Sequence, residues 1–148
     1  VAKLIYMSTQ NYKNHTQFVP AFHLVTVPLL LLVFIGSIVN LVHSVPGNFY
    51  SASLLVALSF ATLLLAFIAR LFALKVQDRA IRAEENFRHY IATGQPQDSR
   101  LTVPQIIALR FAGDDQYIGL SKRAVEENMS AKEIKMAIQN WKGDYHRA

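Results

Sequence analysis

The sequence predicts an all-α membrane protein: a two-helix transmembrane hairpin, its second helix extended into the cytoplasm, followed by a small C-terminal helical domain. Three observations carry that expectation. No Asp, Glu, Lys or Arg occurs between Lys13 and Arg70, so all 15 basic and 10 acidic side chains lie outside one internal run. Pro46, Gly47 and Asn48 divide that run into two apolar stretches. Beyond Gly94 the chain carries repeated helix-start signals instead of a featureless polar tail. A soluble domain spreads its charge more evenly, whereas a membrane-embedded block joined to a water-facing block does not.

Taken in order, residues 1–19 form a cytoplasmic N-terminal arm, with Met7 the candidate start in a chain that opens on Val1. Residues 20–75 form the hairpin. Its first span, about 21–42, has the length to cross a hydrocarbon core of about 30 Å at about 1.5 Å per residue. The outer loop, 43–51, holds the turn formers and two interface aromatics, Phe49 and Tyr50. The second span, about 52–74, leaves Arg70 and Lys75 to snorkel at its inner end. A cleaved signal peptide does not fit a first span this long and this far from the start. The outer loop has no Lys or Arg, the arm has Lys3 and Lys13, and every other basic residue follows from Arg70 onward. Both termini are therefore expected in the cytoplasm.

His23 and His43 fall at opposite ends of the first span, about 30 Å apart along a helix, and the second span has no histidine. A haem held within the hairpin does not fit that spacing. The expectation is no cofactor of its own, with lipid or a partner-held pigment as the contacts open to these interfacial rings. Pro28 predicts a bend in the first span. Gly36 and Asn40 suggest helix contact, as do the small residues Ala57, Ala61, Ala66, Ala69 and Ala73 of the second span. With no ionisable side chain in mid-span, proton-relay and ion-transport chemistry has no residues to work with.

Nothing stops the second helix before Gly94 and Pro96, so one helix is expected from about Ser51 to Thr93. Along it Ala69, Ala73, Val76, Ala80, Ala83, Phe87 and Tyr90 recur at alternating spacings of four and three, a heptad-like seam. Asp78, Arg79, Arg82, Glu85 and Arg88 lie on the other surface. The expected cover for the seam is the chain's own C-terminal helices, a partner subunit being the alternative. Thr102 with Gln105, and Ser130 with Glu133, are capping boxes. Leu101 with Ile106, and Met129 with Ile134, are the matching hydrophobic staples. The helix after the first box should run to Gly113, and the next should begin at Asp114 or Asp115. The last should align Ile134, Ala137, Ile138 and Trp141 on one face.

The C-terminal segment interleaves acids with its bases, so nucleic-acid binding is not expected. The chain lacks cysteine, a phosphate-binding loop and any nucleophile or metal-ligand spacing. The adjacent acids Glu84-Glu85 and Asp114-Asp115 read as caps and surface pairs, not acid/base dyads.

The segments QNYKNH, FVPAFH, GSIVNLVHS, DRAIRAEENFRHY, QIIALRFA and RAVEENMSAKEIKMAIQNWKGDYHR together resemble a family of small bacterial two-span membrane proteins catalogued as a domain of unknown function. That resemblance covers nearly the whole chain from about Gln10. It implies the topology above and a bacterial inner membrane, and it brings no activity or site residues. The expected role is a non-catalytic accessory or structural subunit of a larger inner-membrane complex, with respiratory and photosynthetic complexes as candidate hosts, in contact with other membrane-protein subunits. The alternative is a homo-oligomeric membrane scaffold or sensor paired through the seam.

Overall fold

A computed structural model describes residues 10–15 and 18–144, and every regular element among them is helical. The α-helices are α1 (Val27–Val42), α2 (Phe49–Thr93), α3 (Val103–Leu109), α4 (Asp114–Glu126) and α5 (Ala131–Ala137). The candidate start Met7 lies outside the described residues. Two helical stretches, Ala21–Val42 and Pro46–Thr93, are long and apolar enough to cross a membrane, and only 6% and 11% of their apolar windows are buried. The chain divides near Leu74 into two units.

In the unit of residues 18–74, α1 and the first part of α2 pack antiparallel. Phe22 meets Phe67, Phe34 meets Phe60, and the Ser37 and Ser59 hydroxyls hydrogen-bond at 2.9 Å. Leu30, Phe34, Ser37 and Leu41 turn toward Ala52, Val56, Ser59, Leu63 and Ala66, which is heptad spacing on both helices. Each serine hydroxyl also lies within bonding distance of a carbonyl in its own helix, Phe34 and Val56 respectively. One serine donates across the interface while the other accepts and donates to its own carbonyl, so both polar groups are satisfied where they meet. Replacing Ser59 with Ala is expected to weaken the hairpin by about 1 kcal/mol, read as a lowered unfolding midpoint in detergent. Where the sequence places a bend at Pro28, the structure has a change of helix type just before it. Residues Ala21–Thr26 form a π-helical turn in which the Thr26 hydroxyl donates to the Ala21 carbonyl at 3.0 Å, and α1 starts with Pro28 in its first turn.

The unit of residues 10–15 and 75–144 has its own core. Leu101, Ile106, Leu109, Phe111, Tyr117, Leu120, Met129 and Ile134 are buried together, so both staple pairs lie inside. The Gln105 side chain accepts from the Thr102 backbone N–H at 2.8 Å and donates to the Met129 carbonyl at 2.8 Å, which ties the start of α3 to the approach to α5. Ser130 and Glu133 complete the second box. Asn128, at φ +48°, ends α4, and the Met129 N–H bonds back to the Ala124 carbonyl. Gly94, at φ +71°, ends α2 in the same left-handed manner.

Two helix ends differ from the sequence-based expectation, and for one reason. α3 stops at Leu109 instead of reaching Gly113, and α5 stops at Ala137, so Trp141 is not on a helix. Ala112 and Trp141 instead form an antiparallel bridge, with Lys142 N–H to the Phe111 carbonyl and Gly113 N–H to the Asn140 carbonyl, each 2.8 Å. Those extended bonds take the backbone groups that longer helices would have used. Gly113 suits the crossing because a side chain there would stand 2.9 Å from the Asn140 amide. The N-terminal arm docks onto the same place. The Gln10 amide exchanges two hydrogen bonds with the Asp144 backbone, at 2.9 and 3.1 Å, and the His15 ring packs on Phe111 and Trp141. Lys135 Nζ lies 3.1 Å from His15 Nε2 and can only donate, so the ring proton sits on Nδ1, bonded to the Tyr12 carbonyl.

Candidate interaction surface

The part of α2 beyond Leu74 has two faces, and the helical unit covers the one read from the sequence as charged. Ile81 and Glu85 are buried, and Arg88 and His89 are half-buried, whereas Arg79 and Arg82, read on the same charged surface, are exposed, Arg79 at the edge of the seam beside Ala80. Arg88 is the centre of this contact. It donates to the Ala112 carbonyl at 2.7 Å, to Asp114 at 2.8 Å through Nε, and to Glu85 at 3.1 Å, while its guanidinium lies 4.1 Å from the centre of the Tyr117 ring. Tyr117 in turn donates to the Glu85 carbonyl at 3.1 Å and accepts from Gln97, whose backbone N–H reaches Asn86. Burial raises the Glu85 carboxyl above its ordinary range, partly opposed by Arg88. Hydrogen bonding and attraction from Arg88 lower Asp114, and burial raises the Tyr117 hydroxyl. His89 is pushed down by its own burial and then by Lys122. Glu85 is thus not a surface acid.

The seam, by contrast, is uncovered. Val76, Phe87 and Tyr90 are 66%, 65% and 56% exposed, Ile91 beside them is 69% exposed, and Ala80 and Ala83 are exposed between them. The expectation that the C-terminal helices cover it is corrected. Those helices bind the opposite face, because Arg88 finds three partners there, Ala112, Asp114 and Tyr117, while Ala80 and Ala83 offer little apolar area. The signal for the true docking face was Ile81, the largest aliphatic side chain between Gln77 and Tyr90, lying off the seam with Glu85 and Arg88 one and two turns on.

The small residues of the hairpin are redistributed too. Gly36 and Asn40 are exposed, as are Ala57, Ala61, Ala69 and Ala73; only Ala66 is half-buried against α1. Ser37, Ala52 and Ser59 hold the close contact instead, because their positions continue the heptad made by the bulky side chains. Asn40 therefore presents an amide on the outside of an apolar helix. Of the six interface residues, Phe49, Tyr50, His43 and Lys75 are exposed. Half-buried His23 stacks on Phe18 at 4.7 Å, and Arg70 lies over the Phe22 ring at 5.7 Å. The His23 and His43 rings each bond the carbonyl four residues back, Val19 and Val39, both at 2.9 Å. The structure brings neither histidine to the other. Among the described residues no three His, Asp or Glu side chains converge as a metal site would require.

These features define an all-helical protein with an apolar helical hairpin, a small capped helical unit and a long helix whose apolar face is left open. The chain belongs to the family of unknown function DUF6526, whose model matches residues 7–148. No curated protein and no solved structure matches it.

Proposed function

We propose that the chain is a non-catalytic accessory subunit of a larger bacterial inner-membrane complex, for which respiratory and photosynthetic assemblies are candidate hosts. Its hairpin spans the membrane with both termini in the cytoplasm, and its helical unit stands on the cytoplasmic side. The observation that carries this reading is uncovered contact surface on both parts of the chain: Asn40, Ala57 and Ala61 face outward on the hairpin, and the face of α2 from Val76 to Ile91 is open outside the charge-free segment. Water is a poor neighbour for Val76, Phe87, Tyr90 and Ile91 on one face, and contiguous patches of this kind mark interaction sites. The low burial of the two apolar stretches supports membrane insertion, since the core helix of a soluble fold is mostly buried. The confinement of Lys and Arg to the arm and to positions from Arg70 onward supports the orientation. Outward-facing Asn40, Ala57 and Ala61 suit contact with helices of other subunits.

The test is purification of a tagged full-length chain in mild detergent, with mass spectrometry of what accompanies it. Stoichiometric recovery of other integral membrane proteins is the expected result. Emergence of the chain with no other protein in stoichiometric amount overturns the reading.

A further inference from the structure

Resting on the membrane reading above, we propose that the open face of α2 pairs with the same face of a second copy, in parallel and in register, through reciprocal Arg79–Glu84 ion pairs. Val76, Ala83 and Tyr90 occupy one core position of the heptad and Ala80 and Phe87 the other. Arg79 then directly precedes a core residue, Ala80, and Glu84 directly follows one, Ala83. In a parallel two-stranded pair these flanking positions meet across the interface five residues apart, which is the separation of Arg79 and Glu84. A two-fold axis makes the pair twice, so the face is complementary in charge to itself. Both side chains are exposed, and among the described residues neither forms an ion pair.

Shape agrees with charge. Ala80 and Ala83 let two helices come close, while Val76, Phe87 and Tyr90 bracket them with bulk to bury. The covered positions Ile81, Glu85, Arg88 and His89 fall on the far side, and the linker touches the seam only at its edge, where Asn86 accepts from the Gln97 N–H, so Ala80, Ala83 and Phe87 stay exposed. Two heptads are too few to associate well as free helices. Insertion in one membrane supplies what is missing: it imposes parallel orientation and a high effective concentration.

The chain contains no cysteine, so single-cysteine variants of the full-length protein in native membranes give a direct test. Oxidation should link Ala80→Cys and Ala83→Cys chains into homodimers and leave Arg82→Cys, an exposed position off the seam, unlinked. Arg79→Glu or Glu84→Arg, added to Ala83→Cys, should each lower the homodimer yield about tenfold, two attractive contacts becoming repulsive. Co-expressing those two charge variants under different tags should restore the yield as a mixed dimer. Equal linking at Arg82→Cys, or indifference to the charge changes, overturns the proposal. Linking of Ala83→Cys only to a different protein also overturns it, while leaving the accessory-subunit reading intact. Homodimers without any co-purifying subunit would do the reverse.

Discussion

Replacing Arg88 with Ala is expected to destabilise the helical unit by about 3–5 kcal/mol, because it leaves the buried Glu85 carboxylate without its counter-charge. Arg88 and Glu85 keep only 14% and 11% of their side-chain surface exposed, so solvent does little to screen them. Lys at this position should recover a small part of the loss. A single ammonium cannot reach Ala112, Asp114 and Glu85 at once or stack on Tyr117 as the planar guanidinium does. Denaturant unfolding of the full chain in detergent, followed through the single tryptophan, Trp141, reads the effect.

The loss should depend on pH with a definite sign. Glu85 binds its proton more tightly folded than unfolded, because burial raises it from 4.5. Its contribution is therefore fully present below about pH 4.5 and fades as pH rises through the higher folded value. Removing Arg88 removes an influence that opposes the rise, so the Arg88→Ala deficit should shrink toward pH 4.5 and widen toward neutrality. Glu85→Gln in the same background should recover much of the stability at pH 7. Asp114 runs the other way: its stabilising share is lost as pH falls through its lowered value. That share is small, since its side chain is 77% exposed. A deficit constant with pH would show that Glu85 is not the group left behind.

The second large effect separates two phenylalanines that composition cannot tell apart. Phe111→Ala should cost about 3–5 kcal/mol, because Phe111 is 1% exposed and carries Trp141, His15 and the Arg110 guanidinium on its surfaces. Losing it should release residues 10–15 and the segment around Trp141 together, seen as amide exchange that quickens in both. Phe87→Ala, at a site 65% exposed, should change the unfolding of the separated chain by no more than about 0.5 kcal/mol. On the proposed pairing of the open face, its effect is on assembly instead. If Phe87→Ala unfolds the chain as Phe111→Ala does, the seam is core and not surface.

Local features were legible because their physics is local. The capping boxes at Thr102 and Ser130 satisfy helix N–H groups within four residues. The divider at Pro46-Gly47-Asn48 and the end of α2 at Gly94 rest on backbone geometry that side chains far away do not alter. The family resemblance was legible for the same reason, being written in contiguous segments. The choice of face on α2 was not. A seam of Ala80, Ala83, Phe87 and Tyr90 is a valid pattern, but its use depends on what else can bind the opposite side. That was decided by Ala112, Asp114 and Tyr117, which lie 24 to 32 residues from the groups of α2 they bond. Gly36 and Asn40 faced outward for a similar reason: Ser37 found its partner in Ser59, 22 residues on.

By itself, then, the sequence determined the division of charge, the helical content and where most helices begin, since each follows from residues within a turn or two of one another. Tertiary structure alone decided which residues are covered. Trp141 left its expected helix for a bridge to Ala112, and Gln10 joined Asp144 across 134 residues. On α2 the ion pairs and aromatic stacking around Arg88 outweighed the small apolar area of two alanines. The helical unit settled on the charged face, and the apolar one stayed open.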